Sequence, residues 1–342
     1  MDLSIEVGNT NHWGLPKQKY DKLLTIKKSN KTTLKKYPDF NTEWHLIRFL
    51  EARNWNIPKT QEMLDEYFKF RVDYDLEEVL SFDFTPFNDI IANNYNAGFC
   101  HTDKGGRPIL YERVGESNTK VLLKSLSPRQ IRYWYIRQLQ RVLHIQFPIC
   151  SARAGKRIDK MVLIYDFKGV NIMKIFDSDF KNFLKAMSQL GQDYYPEILH
   201  MLVMVNVSFI IKGVWNTVKY LLDKKTRDKI KIFSDNGRKT MLNYISEENL
   251  PDFMGGECTD DLREYPGPWK EELDASKERK EFFLKDRTPE YEYFYTEEER
   301  KLVSPPSTIN TTISEDDWDE GDTSKGEIKT LMIKMKSMLF LP

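Results

Sequence analysis

Cysteine is scarce: Cys100, Cys150 and Cys258 are the only three in 342 residues, and no two form a C-x-x-C pair. An odd, widely spaced set of thiols excludes a disulfide-stapled secreted scaffold. With no signal-peptide pattern at the amino terminus, it points to a reducing cytoplasm. Charge of one sign is lacking as well. Lys plus Arg and Asp plus Glu each total 52, so no global field argues for nucleic acid. The longest apolar run, Ile198 to Trp215, is broken by His200, Asn206, Ser208, Lys212 and Gly213. A membrane span needs about 20 mostly uncharged residues, so any membrane contact is expected to be peripheral. Catalytic motifs are missing too: there is no G-x-S-x-G elbow, P-loop, H-E-x-x-H or G-x-G-x-x-G. His12, His45, His101, His144 and His200 show no metal-ligand spacing, and His200, inside an apolar strand, reads as a hydrogen-bonded core residue. No catalytic residue, metal or cofactor is expected.

What the chain does have is apolar mass, 40% hydrophobic and 13% aromatic, enough for a substantial core and one or two domains. Its centre runs from Gly191 to Phe233. Ile198 to Val207 is apolar without period-two alternation, the pattern of a strand buried on both faces in a parallel sheet. Phe209 to Leu222 follows as an amphipathic helix, with Ile210, Val214, Val218, Leu221 and Leu222 on one stripe and Lys212, Asn216, Lys219 and Asp223 opposite. Ile211, Trp215 and Tyr220 widen the stripe beyond what one sheet face needs. Either the helix is buried on most sides, or it is a lid whose second apolar surface, with Phe209 at its start, touches a ligand or a membrane. A basic turn (Lys224, Lys225, Arg227, Lys229) then leads into a short strand, Ile230 to Phe233.

Upstream, residues 1–39 carry eight lysines between Lys17 and Lys36 against one acid, Asp21, and read as a solvated, partly helical arm or an electrostatic contact for anionic lipid. Glu43 to Arg53 and Lys59 to Tyr74, the latter opened by Pro58, form a small helical cap within residues 40–80. In residues 84–270, turn chemistry at Asp103 to Gly106 precedes a strand, Arg107 to Val114. Ser127, Pro128 and Gln130 form a capping box for a helix reaching Phe147. Lys160 to Phe167 is a second buried strand, and Phe180, Phe183, Leu184, Met187 and Leu190 mark a helix stopped by Gly191. Arg238 to Ile245 is a short helix, and Gly255 and Gly256 a tight turn. Strand and helix alternation from Arg107 to Phe233 gives an α/β layer with a mainly parallel sheet. Residues 271–342 are charged and core-poor, with six acids in Glu315 to Asp322, and read as disordered up to a terminal amphipathic helix through Leu331, Met335 and Met338.

Seven segments occur in an order that resembles the CRAL-TRIO lipid-exchange family, in particular its phosphatidylinositol/phosphatidylcholine transfer proteins. They are RFLEARNWN, TDKGGRP, PICSARAG, YDFKGV, QDYYPE, the strand and helix leading to LLDKKTRDKIKIF, and ENLPDFMGG ahead of GPW, spanning Glu43 to Trp269. The resemblance implies a sheet flooring an apolar pocket, a helical amino-terminal cap, and the helix of Phe209, Ile210, Val214, Trp215, Val218, Leu221 and Leu222 as a gate. It places the inositol head group on Arg53, Glu197, Thr226 and Lys229, of which Lys229 and Thr226 suit a phosphodiester and Arg53 and Glu197 the inositol hydroxyls. The hydroxyl residues that the family uses for choline lipid fall on Met161, Leu163 and Leu139, which leaves the second ligand open. The implied protein is a non-enzymatic, monomeric, cytoplasmic carrier of phosphatidylinositol that meets membranes, Golgi or endosomal among them, transiently. Two alternatives stay open: a carrier of a sterol, tocopherol or retinoid-like molecule, and a lipid-regulated interaction scaffold.

Overall fold

The computed structural model describes residues 13–40, 42–170, 177–218 and 227–270. These residues form two units that divide in sequence between Asp73 and Tyr74.

The first unit is helical: α1 (Lys17–Ser29), α2 (Lys31–Leu34), α3 (Glu43–Ala52) and α4 (Ile57–Asp73). The lysine-rich stretch differs from the expected solvated arm. Its helix α1 buries Leu23 and Ile26 completely, Lys27 pairs with Glu43 at 3.0 Å, and the Lys22 ammonium donates to the Trp55 carbonyl at 2.8 Å. Two apolar residues three apart make a stripe one side chain wide, easily hidden among lysines yet sufficient to dock a short helix. Thr42 caps α3 by accepting from the His45 amide at 3.2 Å, and Pro58 stands in the first turn of α4. Asn54 and Trp55 turn the chain between them with positive φ of 50° and 59°, and the Trp55 amide closes on the Leu50 carbonyl at 2.7 Å. Phe40 sits among Phe49, Tyr67 and Phe68, beside an Arg71–Asp39 ion pair of two hydrogen bonds at 2.8 and 3.1 Å.

The second unit holds a five-stranded sheet in the order β1 (Ala97–Thr102), β2 (Pro108–Arg113), β3 (Met161–Asp166), β4 (Leu199–Val205), β5 (Ile230–Ile232). The first pair is an antiparallel hairpin and the other three pairs are parallel. Strand β1 was not anticipated, because Gly98 and a Cys-His pair break the usual β-branched signature. Each parallel step needs a crossover. From β2 to β3 the chain runs through α7 (Thr119–Ser125), α8 (Pro128–Arg141) and α9 (Phe147–Ala154), preceded in the unit by α5 (Leu76–Ser81) and α6 (Asn88–Asn94). Helix α10 (Ser178–Gln189) joins β3 to β4, α11 (Phe209–Val218) leads from β4 towards β5, and a single turn, α12 (Arg238–Met241), follows.

The capping box is formed: Ser127 Oγ accepts from the Gln130 amide at 3.3 Å, while Gln130 Oε1 accepts from the Ser127 amide at 2.8 Å. The helix it starts does not end at Phe147. A π turn at Val142–Gln146 carries it into α9, and Gly155, at φ 61°, ends it. Pro148 has no N–H to donate, and the wider turn just before it is where a helix can accommodate that gap. Gly191 is likewise not a cap. It lies inside a second π turn, Leu190–Tyr194, and does not take the left-handed φ of a helix stop.

The sheet is buried on both faces. Leu163, Tyr165, Leu202 and Met204 face Phe180, Val207 and Trp215 on the front. Val162, Ile164, Met201, Val203 and Val205 face Met241, Ile245, Leu250, Met254 and Leu262 on the back. Strand β3 is buried at all six positions, as its unbroken apolar run requires. Replacing fully buried Leu202 by alanine should cost about 2–5 kcal/mol. The same change at Phe209, which is 83% exposed, should stay within about 0.5 kcal/mol in urea unfolding.

Candidate functional site

Because β2 to β5 run parallel, their amino ends lie on one edge of the sheet. Just ahead of them stand Arg107, Lys160, Glu197 and Lys229. Glu197 occupies a left-handed backbone position, φ 58°, that costs a residue with a Cβ about 1 kcal/mol or more. The turn is held from behind, where Gln140 donates to the hydroxyl of buried Tyr195 at 2.8 Å. The Glu197 carboxylate is only 7% exposed and faces Lys229 at 3.5 Å and Lys160 at 3.8 Å, both through Oε2. These separations exceed hydrogen-bond length, so the attraction is chiefly Coulombic. Two ammonium groups thus face one carboxylate at this edge. Backbone bonds fix it: Met161 N donates to Ile198 O at 2.8 Å, and Leu202 N to Lys229 O at 2.9 Å.

Of the four residues that the resemblance assigned to a head group, Glu197 and Lys229 are therefore together. Arg53 follows α3 in the helical unit, its guanidinium donating to the Ala52 carbonyl at 3.2 Å. Thr226 lies outside the described residues. Lys160 was missed by sequence reasoning, since it belongs to a different motif and only strand pairing brings it to Glu197. Arg107, further along the edge, is neutralised by Asp103 at 3.1 Å. His200 is half-buried here, and its imidazolium form is disfavoured first by burial and then by the Arg107 guanidinium, with smaller effects of the same sign from Lys160 and Lys229.

At the opposite ends of the strands, Asp166 accepts from the Lys168 amide and from Asn206 Nδ2, both at 2.8 Å. That cross-link explains the aspartate of the YDFKGV segment structurally. Asn206 also takes a positive φ, 54°, so the chain leaves β4 sharply and turns into α11. Helix α11 has two apolar sides. Trp215, 7% exposed, and Ile211 pack on the front of the sheet, while Phe209 and Ile210, 83% and 43% exposed, point to solvent. Ile211 and Trp215, expected merely to widen the stripe, are the ones that face the core, and Tyr220 lies outside the described residues. Leu221 and Leu222 lie outside the described residues, and Val214 and Val218 are placed by backbone alone. No helix among the described residues is long and apolar enough to cross a membrane.

A separate cavity of about 670 Å³ opens beside the β1–β2 turn. Its walls include Asp103, Lys104, Arg153 and Lys156, a lining unsuited to hydrocarbon. At its margin His101 joins Cys100 and Cys258, three groups whose donor atoms lie within 4.8 Å of one another. Sequence spacing gave no sign of this cluster, because 158 residues separate the two cysteines.

The mainly parallel sheet and the helical crossover after β4 lie within residues 92–256, which match the CRAL/TRIO domain, and this part of the chain is such a domain. Its relatives include the phosphatidylinositol/phosphatidylcholine transfer proteins SFH12 and SFH11 of Arabidopsis thaliana. They are 32% and 31% identical, over 68% and 69% of this chain and 44% and 63% of their own lengths. The chain thus spans less than two thirds of these two plant proteins. The Sec14 cytosolic factor of Schizosaccharomyces pombe is 29% identical over 66% of this chain and 80% of its own. A solved structure, of Sfh5, overlaps with a TM-score of 0.49 at 19% identity, over 67% of this chain and 81% of that one.

His200 stays neutral to lower pH when folded than when unfolded. Below the ordinary histidine value of about 6.5 the unfolded chain therefore binds more protons, and stability falls as the pH drops. His200→Gln should flatten that decline between about pH 7 and 5, read as the difference in urea midpoints between variant and wild type.

Proposed function

We propose that this chain binds a phosphatidylinositol-type phospholipid and carries it between membrane faces, or presents it to lipid-modifying enzymes, without catalysing a reaction itself. The observation that carries the reading is the half-buried cationic edge, where Lys160 and Lys229 converge on Glu197 at the amino ends of β3, β4 and β5. A phosphodiester can accept from the two ammonium groups of that edge, and the carboxylate accepts from sugar hydroxyls. The names of the relatives, which are phosphatidylinositol/phosphatidylcholine transfer proteins, support the same ligand class.

Energetics sets the rest. A two-chain lipid carries on the order of 30 methylenes, each worth about 0.8 kcal/mol, so more than about 20 kcal/mol opposes its passage through water. A carrier must enclose the chains. Helix α11 suits a gate: Trp215 seals its inner side, and Phe209 and Ile210 offer an outer side that a bilayer can receive. Contact with the membrane is peripheral and transient, and the carrier works as a monomer in the cytoplasm.

Mass spectrometry of lipid co-purifying with the full chain should find an inositol phospholipid; a sterol alone, or no lipid, would overturn the reading. Lys229→Ala and Lys160→Ala should each lower transfer between vesicles about tenfold, the effect of losing one charge-assisted contact of about 1.5 kcal/mol. Thr226→Ala and Arg53→Ala test the two remaining residues that the family resemblance points to. Phe209→Asp should weaken association with vesicles while leaving the unfolding midpoint in place, since the side chain packs against little in the protein.

A further inference from the structure

We propose that Cys100, His101 and Cys258 bind a zinc ion that clips strand β1 to the segment closing the back of the sheet, with Asp260 orienting the imidazole. The two sulfurs lie 3.7 Å apart. Thiolates sharing a tetrahedral zinc at about 2.3 Å each are separated by about 3.8 Å, so the pair already stands at ligand spacing. Consecutive residues of a regular strand point to opposite faces, which would keep Cys100 and His101 from one ion. Here the β1–β2 register shifts between Phe99 and Thr102, and His101 takes a positive φ of 52°. This bulge swings the ring to the side of the thiol.

Cys258 is delivered from the far end of the domain with comparable definition. It bridges Pro251, its amide donates to Leu250 O at 3.0 Å, and its carbonyl accepts from Asp252 N at 2.8 Å. The intervening turn needs Gly256, where any Cβ would lie 1.9 Å from the Leu250 carbonyl oxygen. Gly98 in β1 admits the Leu262 carbonyl in the same way, at 1.8 Å from a notional Cβ. His101 Nε2 meets Asp260 Oδ2 at 2.7 Å, the carboxylate–imidazole contact that ligating histidines commonly make, which leaves Nδ1 to the metal. Two sulfurs and an imidazole select zinc over magnesium or calcium.

Zinc binding releases two protons to solvent, one from each thiol as it becomes a ligand. The cavity beside His101 supplies an entry path, and a water completes four-fold coordination. A disulfide between the same cysteines would need an oxidant, and it would give the bulged His101 and its carboxylate nothing to do.

Full-length protein purified without chelator should contain about one zinc per chain by elemental analysis. Stripping the metal should lower the thermal midpoint by several degrees, restored on adding zinc alone. Titration of stripped protein with cobalt should give the near-ultraviolet thiolate-to-cobalt band. Cys258→Ser and His101→Ala should lose the metal, whereas Cys150→Ser keeps it, and Asp260→Asn should weaken binding about tenfold or more. Should Cys258→Ser fail to fold, the cobalt spectrum of the wild-type chain decides. Protein with neither zinc nor a cobalt band overturns the proposal, as does a Cys100–Cys258 disulfide in protein isolated from a reducing cytoplasm.

Discussion

Parallel pairing of β3 with β4, and of β4 with β5, is the constraint on which the rest of the second unit depends. Antiparallel neighbours could have been joined by tight turns; parallel ones require the chain to return across a face of the sheet each time. Those returns supply the front cover, and they collect the amino ends of β2 to β5 on one edge. Lys160, Glu197 and Lys229 share nothing in sequence. They meet because each precedes a strand of the same sense, and the backbone bonds between neighbouring strands hold them in register.

The return after β4 has a harder task than the others. Helix α11 must cover the front of the sheet with Trp215 and Ile211 while leaving Phe209 and Ile210 in water. Exposed aromatic and aliphatic side chains at one helix start form a small apolar patch, the feature on which the proposed membrane contact rests. Strain and charge are concentrated at the other end of β4. Glu197 holds a left-handed backbone conformation and a nearly buried carboxylate between two lysines, and such positions persist only where the surroundings over-determine them.

The back of the sheet is closed differently, by turns and short helices between Gly237 and Leu262 rather than by a long helix. Short turns bury little apolar surface each, so this cover relies on close backbone approach at Gly98 and Gly256. A cross-link at Cys100, His101 and Cys258 would tie that cover to β1, the antiparallel strand at the edge of the sheet.

The buried strands, the capping box at Ser127, the turn at Asp103 to Gly106 and the amphipathic character of α11 were legible in the sequence, because each depends on residues within one or two turns of each other. The same local logic failed where a distant partner intervened. Leu23 and Ile26 looked too sparse to dock a helix until α3 and α4 supplied a surface, and Pro148 and Gly191 looked like stops until π turns absorbed them. Which side of α11 turns inward could not be read from a helical wheel, since both sides are apolar and only the sheet beneath chooses between them. By itself, then, the sequence determined the α/β class and the order of elements apart from β1, while the family resemblance drew attention to Glu197 and Lys229 of the cationic edge. Only the tertiary structure decided that Lys160 completes that edge, and that Cys258 reaches Cys100 and His101, because both depend on contacts that strand pairing and sheet cover make between residues far apart in the chain.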